Sequence, residues 1–153
     1  MGLALLAAGA GPGQGLAQDG PDYVLAAANE NVALGFDRTR LAVGGTEVVA
    51  WIVGVRRDPP AAADQWDHIV YWSVYDCDGW RGRRAFAEEF DAQGELMNAY
   101  PVDADWQTFE EGSLGEGLVN AVCIGEPAIP VTAGSDRDFA ARGRRYLTTG
   151  TFD

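Results

Sequence analysis

The two cysteines of the chain constrain its fold more than any other feature. Cys77 ends a strand-like run, DHIVYWSVYDC, and Cys123 ends a helix-like run, SLGEGLVNAVC. Between them, RRAFAEEF and ELMNAY flank the turn-forming sequence DAQG, which is typical of a β-hairpin. Residues 67–123 therefore predict a strand, a hairpin and a helix, in that order.

The predicted helix has a clear beginning. Ser113–Glu116 has the form of a capping box, in which the serine hydroxyl accepts a backbone N–H and the glutamate reaches back. Apolar residues then recur at helical spacing, at Leu114, Leu118, Ala121 and Val122. Gly115 and Gly117 each weaken such a helix by about 1 kcal/mol relative to alanine. The helix therefore needs packing and a covalent restraint.

Residues 1–20 predict a secretory leader. The short apolar run Leu3–Ala10 is followed by small residues around Gly15–Ala17, as at a cleavage site. The alternative is a disordered N-terminus. In an exported chain the two cysteines can form only one intramolecular disulfide, Cys77–Cys123. The wide spacing, without a C-x-x-C arrangement, favours a structural bridge over a redox pair. The predicted location is the periplasm or the cell surface, or outside the cell.

Six segments have strand-like patterns separated by short turns, which predicts an antiparallel meander. They are 23–28, 32–36, 47–57, 67–77, 83–90 and 95–100. The run EVVAWIVGVR is apolar on both faces, which is typical of a central strand covered on both sides. The predicted fold class is α+β, an antiparallel sheet of about six strands packed against one C-terminal helix, with a disulfide between sheet and helix.

The predicted domain organisation has three parts. Residues 1–20 are the leader or disordered segment, 21–125 form the α+β domain, and 126–153 form a C-terminal extension. The extension predicts either a short helix over 136–146 or a mobile tail. In the helical alternative, Phe139 and Tyr146 are its apolar contacts.

Catalytic and metal-binding chemistry is not predicted. His68 is the only histidine, and its place at the start of a strand favours a surface or edge position. No nucleophile-elbow sequence accompanies it. Asp76–Gly79 resembles part of a calcium loop but lacks the later ligands, so it predicts a turn. The acidic residues of 88–91 predict a solvated hairpin end. No catalytic, cofactor-binding or metal-binding residue is therefore assigned, and an enzyme is disfavoured.

Composition narrows the range of partners. The formal net charge of the 153 residues is −12 and the sequence pI is about 4.3. A surface of this charge repels phosphate backbones, so nucleic acid is not an expected partner. No segment has the length of apolar sequence that a membrane-spanning helix needs.

One face of the sheet is the candidate protein interface. A bridge from Cys77 places the helix on the face of Tyr71 and Tyr75, and alternation puts Trp51, Val70, Trp72 and Val74 on the opposite face. Alternation likewise puts Arg84, Phe86, Glu88 and Phe90 together on one side of their strand. Such apolar surface needs a cover: the N-terminal hairpin or residues 124–153, a second copy in a homodimer, or a protein partner.

The order of parts resembles a known family. A strand ending Tyr75-Asp76-Cys77 is followed by the turn Asp91–Gly94, by Pro101 and Trp106, and by the capped helix 111–123. This resembles the bacterial surface-adhesin protein E-like domain family, over residues 22–123 and most specifically over 71–123. The resemblance implies a small exported domain whose sheet packs on one helix through a disulfide, and which adheres to or binds host proteins.

Three functions are weighed on this basis. The preferred one is an exported bacterial protein that acts by binding a protein partner. The second is a soluble periplasmic accessory or structural protein without an adhesive role. The third, an enzyme that uses paired carboxylates, is disfavoured because adjacent strand residues point to opposite faces.

Overall fold

The computed structural model describes residues 20–62 and 64–152. Within these residues the chain forms nine strands and two α-helices. In order they are β1 (Tyr23–Ala28), β2 (Val32–Asp37), β3 (Ala42–Gly44), β4 (Glu47–Arg56), β5 (His68–Asp76), β6 (Arg81–Phe90), β7 (Leu96–Pro101), β8 (Gln107–Thr108), α1 (Leu114–Cys123), β9 (Ile129–Val131) and α2 (Asp136–Thr149). The predicted leader lies almost wholly outside the described residues.

All strands belong to one sheet with the order β7-β6-β5-β4-β2-β1-β9, and every pairing is antiparallel. The strands β3 and β8 pair off this path with β4 and β6. The predicted meander is confirmed, and each of the six predicted strands is present. The sheet has three further strands, so the predicted count of about six is wrong. These three, β3, β8 and β9, have only two or three residues each and are too short to show alternation.

A bulge lies between β5 and β6. Trp72 pairs with Phe86, but the next residue of β5 pairs with Arg84, so Ala85 is an extra residue in β6. An inserted residue moves every side chain beyond it to the other face. The expectation that Arg84 and Phe86 share a side is therefore wrong. The guanidinium carbon of Arg84 lies 4.3 Å from the ring centroid of Tyr71, on the α1 face of the sheet.

Helix α1 begins as its sequence predicts. The Ser113 hydroxyl accepts the backbone N–H of Glu116 at 3.1 Å, and the Glu116 carboxylate accepts the backbone N–H of Gly112 at 2.6 Å. The buried residues of α1 pack against β1, β2, β4 and β5; they are Leu118, Val119, Ala121 and Val122. Three residues of the predicted apolar stripe are therefore buried, namely Leu118, Ala121 and Val122. Leu114 is only partly buried, and Val119, which lies outside the predicted stripe, is fully buried.

The two glycines of α1 have a packing role. A Cβ at Gly115 would overlap the ring of Phe109, and a Cβ at Gly117 would lie 2.9 Å from the Cβ of Ala27. Both positions therefore favour glycine even though glycine lowers helix propensity. The two glycines allow close packing of α1 against Phe109 and Ala27, and they lower the intrinsic stability of the helix.

The predicted disulfide is confirmed. Cys77, directly after β5, bonds to Cys123, the last residue of α1, with an S–S distance of 2.04 Å and a Cα–Cα distance of 5.5 Å. The described residues contain no free cysteine. The bridge fixes the end of α1 to the sheet on the face of Tyr75, as expected from the sequence.

Helix α2 covers part of the opposite face. The predicted fold counted one helix packed on the sheet, whereas the described residues contain two, and the second is the helical alternative for residues 136–146, extended to Thr149. Its buried residues are Phe139, Ala140 and Gly143. Phe139 stacks on Tyr23 at 5.5 Å between ring centroids, in the space left because Gly35 of β2 has no Cβ. One aromatic and two small residues make a narrow apolar stripe, which is why the periodicity of this segment is weak.

The core lies in two layers, one on each side of the sheet. The α1 layer includes Phe36 and Ile52, and the α2 layer includes Val53 and Val55. Strand β4 therefore supplies both layers, which confirms the interpretation of its sequence as a central strand buried on both faces.

Candidate protein-binding face

Helix α2 covers only part of its face of the sheet, and the uncovered part is aromatic. Val70 is 2% exposed and packs in the same cluster as Phe139 and Ala140. Trp72, two residues further along β5, is 45% exposed. The strand pairing places Trp51 directly opposite Trp72. The edge of the covered region therefore runs between Val70 and Trp72.

We call the part of this face beyond α2 the tryptophan face, which comprises Trp51, Trp72, Val74, Phe86 and Trp106; Trp72 is exposed and the other four are half-buried. Trp51 and Trp72 meet edge to face, with ring centroids 5.2 Å apart, and Trp72 lies 6.3 Å from Phe86. Edge-to-face contacts of this kind add stability beyond the area they bury. The aromatic cluster is thus held in position before any partner arrives.

Arginines flank the tryptophan face. The guanidinium carbon of Arg40 lies 5.3 Å from the ring centroid of Trp51, while those of Arg81 and Arg83 lie 4.9 and 5.1 Å from that of Trp106. These distances are those of cation–π contacts. Trp106 reaches this face because β8, directly after it, pairs with the start of β6.

The charges of the flanking arginines are compensated to different degrees. Arg40 pairs with Asp136 at 3.3 Å, and Arg81 pairs with Asp76 at 2.9 Å. The backbone N–H of Gly79, followed by the Arg81 guanidinium, holds the pKa of Asp76 below its usual range. Arg83 makes no ion pair with any acidic residue in the described part of the chain. Its charge remains available to a partner.

The candidate interface predicted from the sequence includes only some residues of the tryptophan face. That prediction grouped Trp51, Val70, Trp72 and Val74, and the strand pairing places all four on one side of the sheet. The burial of Val70 under α2 removes it from the accessible surface. Trp106 and the arginines were missed because their positions depend on the β6–β8 pairing and on the bulge, neither of which has a local sequence signal.

His68 is buried, so the prediction of a surface or edge position is wrong. It is 1% exposed and stacks on Phe90 with 5.1 Å between ring centroids. Its Nδ1 lies 3.2 Å from Oδ2 of Asp67, and Oδ1 of Asp67 accepts a hydrogen bond from Arg144 of α2 at 2.9 Å. Burial lowers the pKa of His68 below its usual 6.5, against the opposing effect of Asp67.

The Asp67 cluster attaches α2 to the sheet. Arg144 also donates to the backbone carbonyls of Arg56 and Asp67. The hydroxyl of Ser73 lies on the other side of the sheet from His68, since the two are five residues apart on one strand. A nucleophile–base pair between them is therefore excluded by geometry.

Residues 20–62 and 64–152 contain no group of three or more histidine, cysteine, aspartate or glutamate side chains that could hold a metal ion. No helix in these ranges has the length and apolar character needed to cross a membrane.

The fold and this face define a class of protein: a small disulfide-bridged α+β domain with an exposed surface of tryptophan and arginine, the residue types most enriched at the energetic centres of protein interfaces. The family can be stated more closely. A family model described as surface-adhesin protein E matches residues 23–124, which is more than half of the chain, and the chain belongs to this family. No curated protein and no solved structure gave a match.

Proposed function

We propose that this protein acts by binding another protein through the tryptophan face. The observation that carries the proposal is the exposure of Trp72, 45% of whose surface is accessible although it lies in the middle strands of the sheet. Contiguous exposed aromatic surface is typical of interaction sites. The family description, surface-adhesin protein E, supports binding as the mode of action.

The chemistry of the face indicates what the partner presents. An apolar side chain can pack on the exposed surface of Trp72 beside Phe86, and a carboxylate or carbonyl oxygen can pair with the uncompensated guanidinium of Arg83. Charged groups at the edge of an interface mainly set orientation and association rate, while the buried aromatic residues supply affinity. The aromatic residues are therefore the ones whose removal should weaken binding most.

The partner is proposed to be a different protein and not a second copy. Each copy has a formal net charge of −12, so two copies repel each other before contact. Sedimentation of the purified chain at increasing concentration tests this choice. A single monomeric species is expected. A dimer that dissociates when Trp72 is replaced by alanine would identify the tryptophan face as a homodimer interface instead.

Photo-cross-linking in cells that produce the full chain tests the proposal. A photoreactive residue replaces Val74 on the tryptophan face, or Val43, which is 74% exposed on the opposite side of the sheet, as a control. We expect an adduct from position 74 that is absent from position 43 and that disappears when the same chain also carries Trp72→Ala. Equal adducts from both positions, or adducts that survive Trp72→Ala, would contradict the proposal.

The origin of the cross-linked partner decides between two biological roles. A host matrix or plasma protein captured on intact cells supports adhesion, which the family resemblance implies. A partner from the producing cell's own envelope supports the periplasmic accessory role. Export through a leader over residues 1–20 is part of both roles, and sequencing the N-terminus of the mature protein tests it.

A further inference from the structure

The face of the sheet that carries α1 has a second surface feature, a groove that α1 does not fill. Its volume is about 480 Å³. The floor is made by side chains of β4 and β5, chiefly Ile52, Ile69 and Tyr71, and one wall is made by Leu118 of α1. The segment 102–109, between β7 and α1, forms the other side. A groove of this size and apolar character is typical of small-molecule sites.

The end of the groove near α1 depends on two glycines. Gly82 of β6 is buried, and a Cβ there would lie 3.0 Å from the ring of Tyr75 and 3.2 Å from that of Phe109. A Cβ at Gly115 would also overlap Phe109. Phe109 can therefore close this end only because both neighbouring positions lack a side chain. The closed end limits the length of an apolar ligand.

The charged residues of the groove all have one sign. Arg56, Arg83 and Arg84 line it, and none of the aspartates and glutamates in the described part of the chain does, although the whole sequence contains 23 acidic residues. The guanidinium carbon of Arg56 lies 3.8 Å from the ring centroid of Trp66, and that of Arg84 lies over Tyr71. Neither Arg56 nor Arg84 forms an ion pair within residues 20–62 and 64–152.

We propose that this groove binds a single-chain carboxylate amphiphile, such as a free fatty acid. The apolar chain lies on Ile52 and Ile69, and the carboxylate pairs with Arg84, with Arg56 at the same rim. An arginine accepts a carboxylate through two parallel hydrogen bonds, and each is stronger than a neutral hydrogen bond. In an otherwise acidic protein, a positive rim over an apolar floor selects anions that also have an apolar body.

The groove and the tryptophan face lie mainly on opposite sides of the sheet, although Arg83 both lines the groove and contacts Trp106. The carboxylate is assigned to Arg84 and Arg56, neither of which belongs to the tryptophan face, so the two proposals are tested separately. Ser73 and Arg84 pair on the α1 side, whereas Trp72 and Phe86 pair on the α2 side. Failure of ligand binding in the groove would leave the protein-binding proposal intact.

Calorimetric titration of the full chain with monomeric dodecanoate tests the proposal, with dodecan-1-ol as the uncharged probe of equal chain length. We expect dodecanoate to bind more tightly than dodecan-1-ol by about tenfold or more, since a charge-assisted contact at a partly solvated rim is worth at least that factor. Equal affinity for the two probes, or no heat of binding from dodecanoate, would overturn the proposal.

Variants locate the site. Arg84→Gln should remove most of the preference for dodecanoate, and Arg145→Gln, which deletes one exposed charge from α2 on the other face, should leave the preference unchanged. Ala104→Trp, which fills the groove from the 102–109 segment, should abolish binding of both probes. Thermal unfolding of each variant must match that of the wild type. Dodecanoate binding that survives both Arg84→Gln and Ala104→Trp in folded protein would overturn the assignment.

A membrane lipid has the same anionic and amphiphilic chemistry as a fatty acid, so the last experiment measures binding to phospholipid vesicles. Cosedimentation with phosphatidylglycerol vesicles is expected to be weak, because the net charge of −12 opposes approach to an anionic surface. Strong retention on vesicles by a chain that does not bind monomeric dodecanoate would overturn the proposal.

Discussion

His68 and Trp72 lie four residues apart on the same face of β5, and the structure places them in opposite environments. His68 is covered by Phe90 and the Asp67–Arg144 pair, whereas Trp72 lies beyond the region that α2 covers. A strand alternates its faces regularly, so the strand itself does not distinguish these two residues. The two residues differ because α2 covers the sheet at His68 and not at Trp72. Helix α2 is therefore the element that determines which aromatic residues remain accessible.

The buried histidine predicts a pH dependence of stability. The pKa of His68 is lowered in the folded protein, so between that pKa and 6.5 the unfolded chain binds a proton that the folded chain does not. The contribution of neutral His68 to the free energy of unfolding is fully present above about pH 6.5. This contribution is lost as the pH falls, by at most about 1.4 kcal/mol per pH unit. Urea unfolding of the wild type from pH 7.5 down to 5.5 measures the slope.

The control for this prediction is His68→Gln. The variant loses the stacking on Phe90 and is less stable at all pH values, but its free energy of unfolding should change less between pH 7.5 and 5.5 than that of the wild type. Since His68 is the only histidine, a variant with an unchanged slope would show that carboxylates, and not this residue, control the dependence.

At the scale of elements, the two helices are held to the sheet by different means. Helix α1 is fixed by the Cys77–Cys123 bridge and by four buried apolar residues. Helix α2 is fixed by Phe139 and by polar contacts, including the Tyr23 hydroxyl donating to Asp136 at 2.6 Å. Burial and this hydrogen bond both raise the pKa of Tyr23. The two helices should therefore respond differently to mutation.

Removal of the Phe139 ring should destabilise the protein strongly. Phe139 is fully buried against Tyr23 and Gly35, and deletion of a buried phenylalanine ring costs about 3–5 kcal/mol. Phe139→Ala is expected to lower the free energy of unfolding by this amount in urea titration. Leu147→Ala on the same helix, where the side chain is only partly buried, should cost clearly less. Equal losses would show that Phe139 does not anchor α2.

The disulfide should stabilise the fold mainly by restricting the unfolded chain. It joins residues 46 positions apart, for which the chain-entropy model gives about 4 kcal/mol. A double variant with serine at Cys77 and Cys123 should lose most of this free energy of unfolding and keep its secondary structure in circular dichroism. A loss below about 1 kcal/mol would mean that packing of α1 alone holds the helix in place.

Elements with a strong local pattern were predictable from sequence. The central position of β4 follows from its continuous apolar run, and the start of α1 follows from its capping box. The side of the sheet that α1 covers follows from the position of Cys77. The bulge at Ala85 has no such signal, because the residues around it continue to look like a regular strand. Which residues of the proposed interface are accessible depends on the bulge, on the pairing of β8 and on the position of α2. These three features are visible only in the structure.

At the scale of the whole molecule, the two sides of the sheet have separate surfaces. One side combines α2 with the tryptophan face, and the other combines α1 with the groove rimmed by Arg56 and Arg84. The family match ends at residue 124, so β9 and α2 lie beyond it. Helix α2, beyond the family match, therefore covers part of one sheet face, and the part that it leaves accessible is the proposed binding surface.

The most direct test of the central claim is the affinity of the chain for the protein that cross-links at position 74. Trp72→Ala should weaken binding by about 30-fold or more, the range for a residue at the energetic centre of an interface. Ile124→Ser, which removes a 64% exposed apolar side chain on the opposite side of the sheet, should leave the dissociation constant unchanged. A dissociation constant unaffected by Trp72→Ala but raised by Ile124→Ser would contradict the assignment of the tryptophan face.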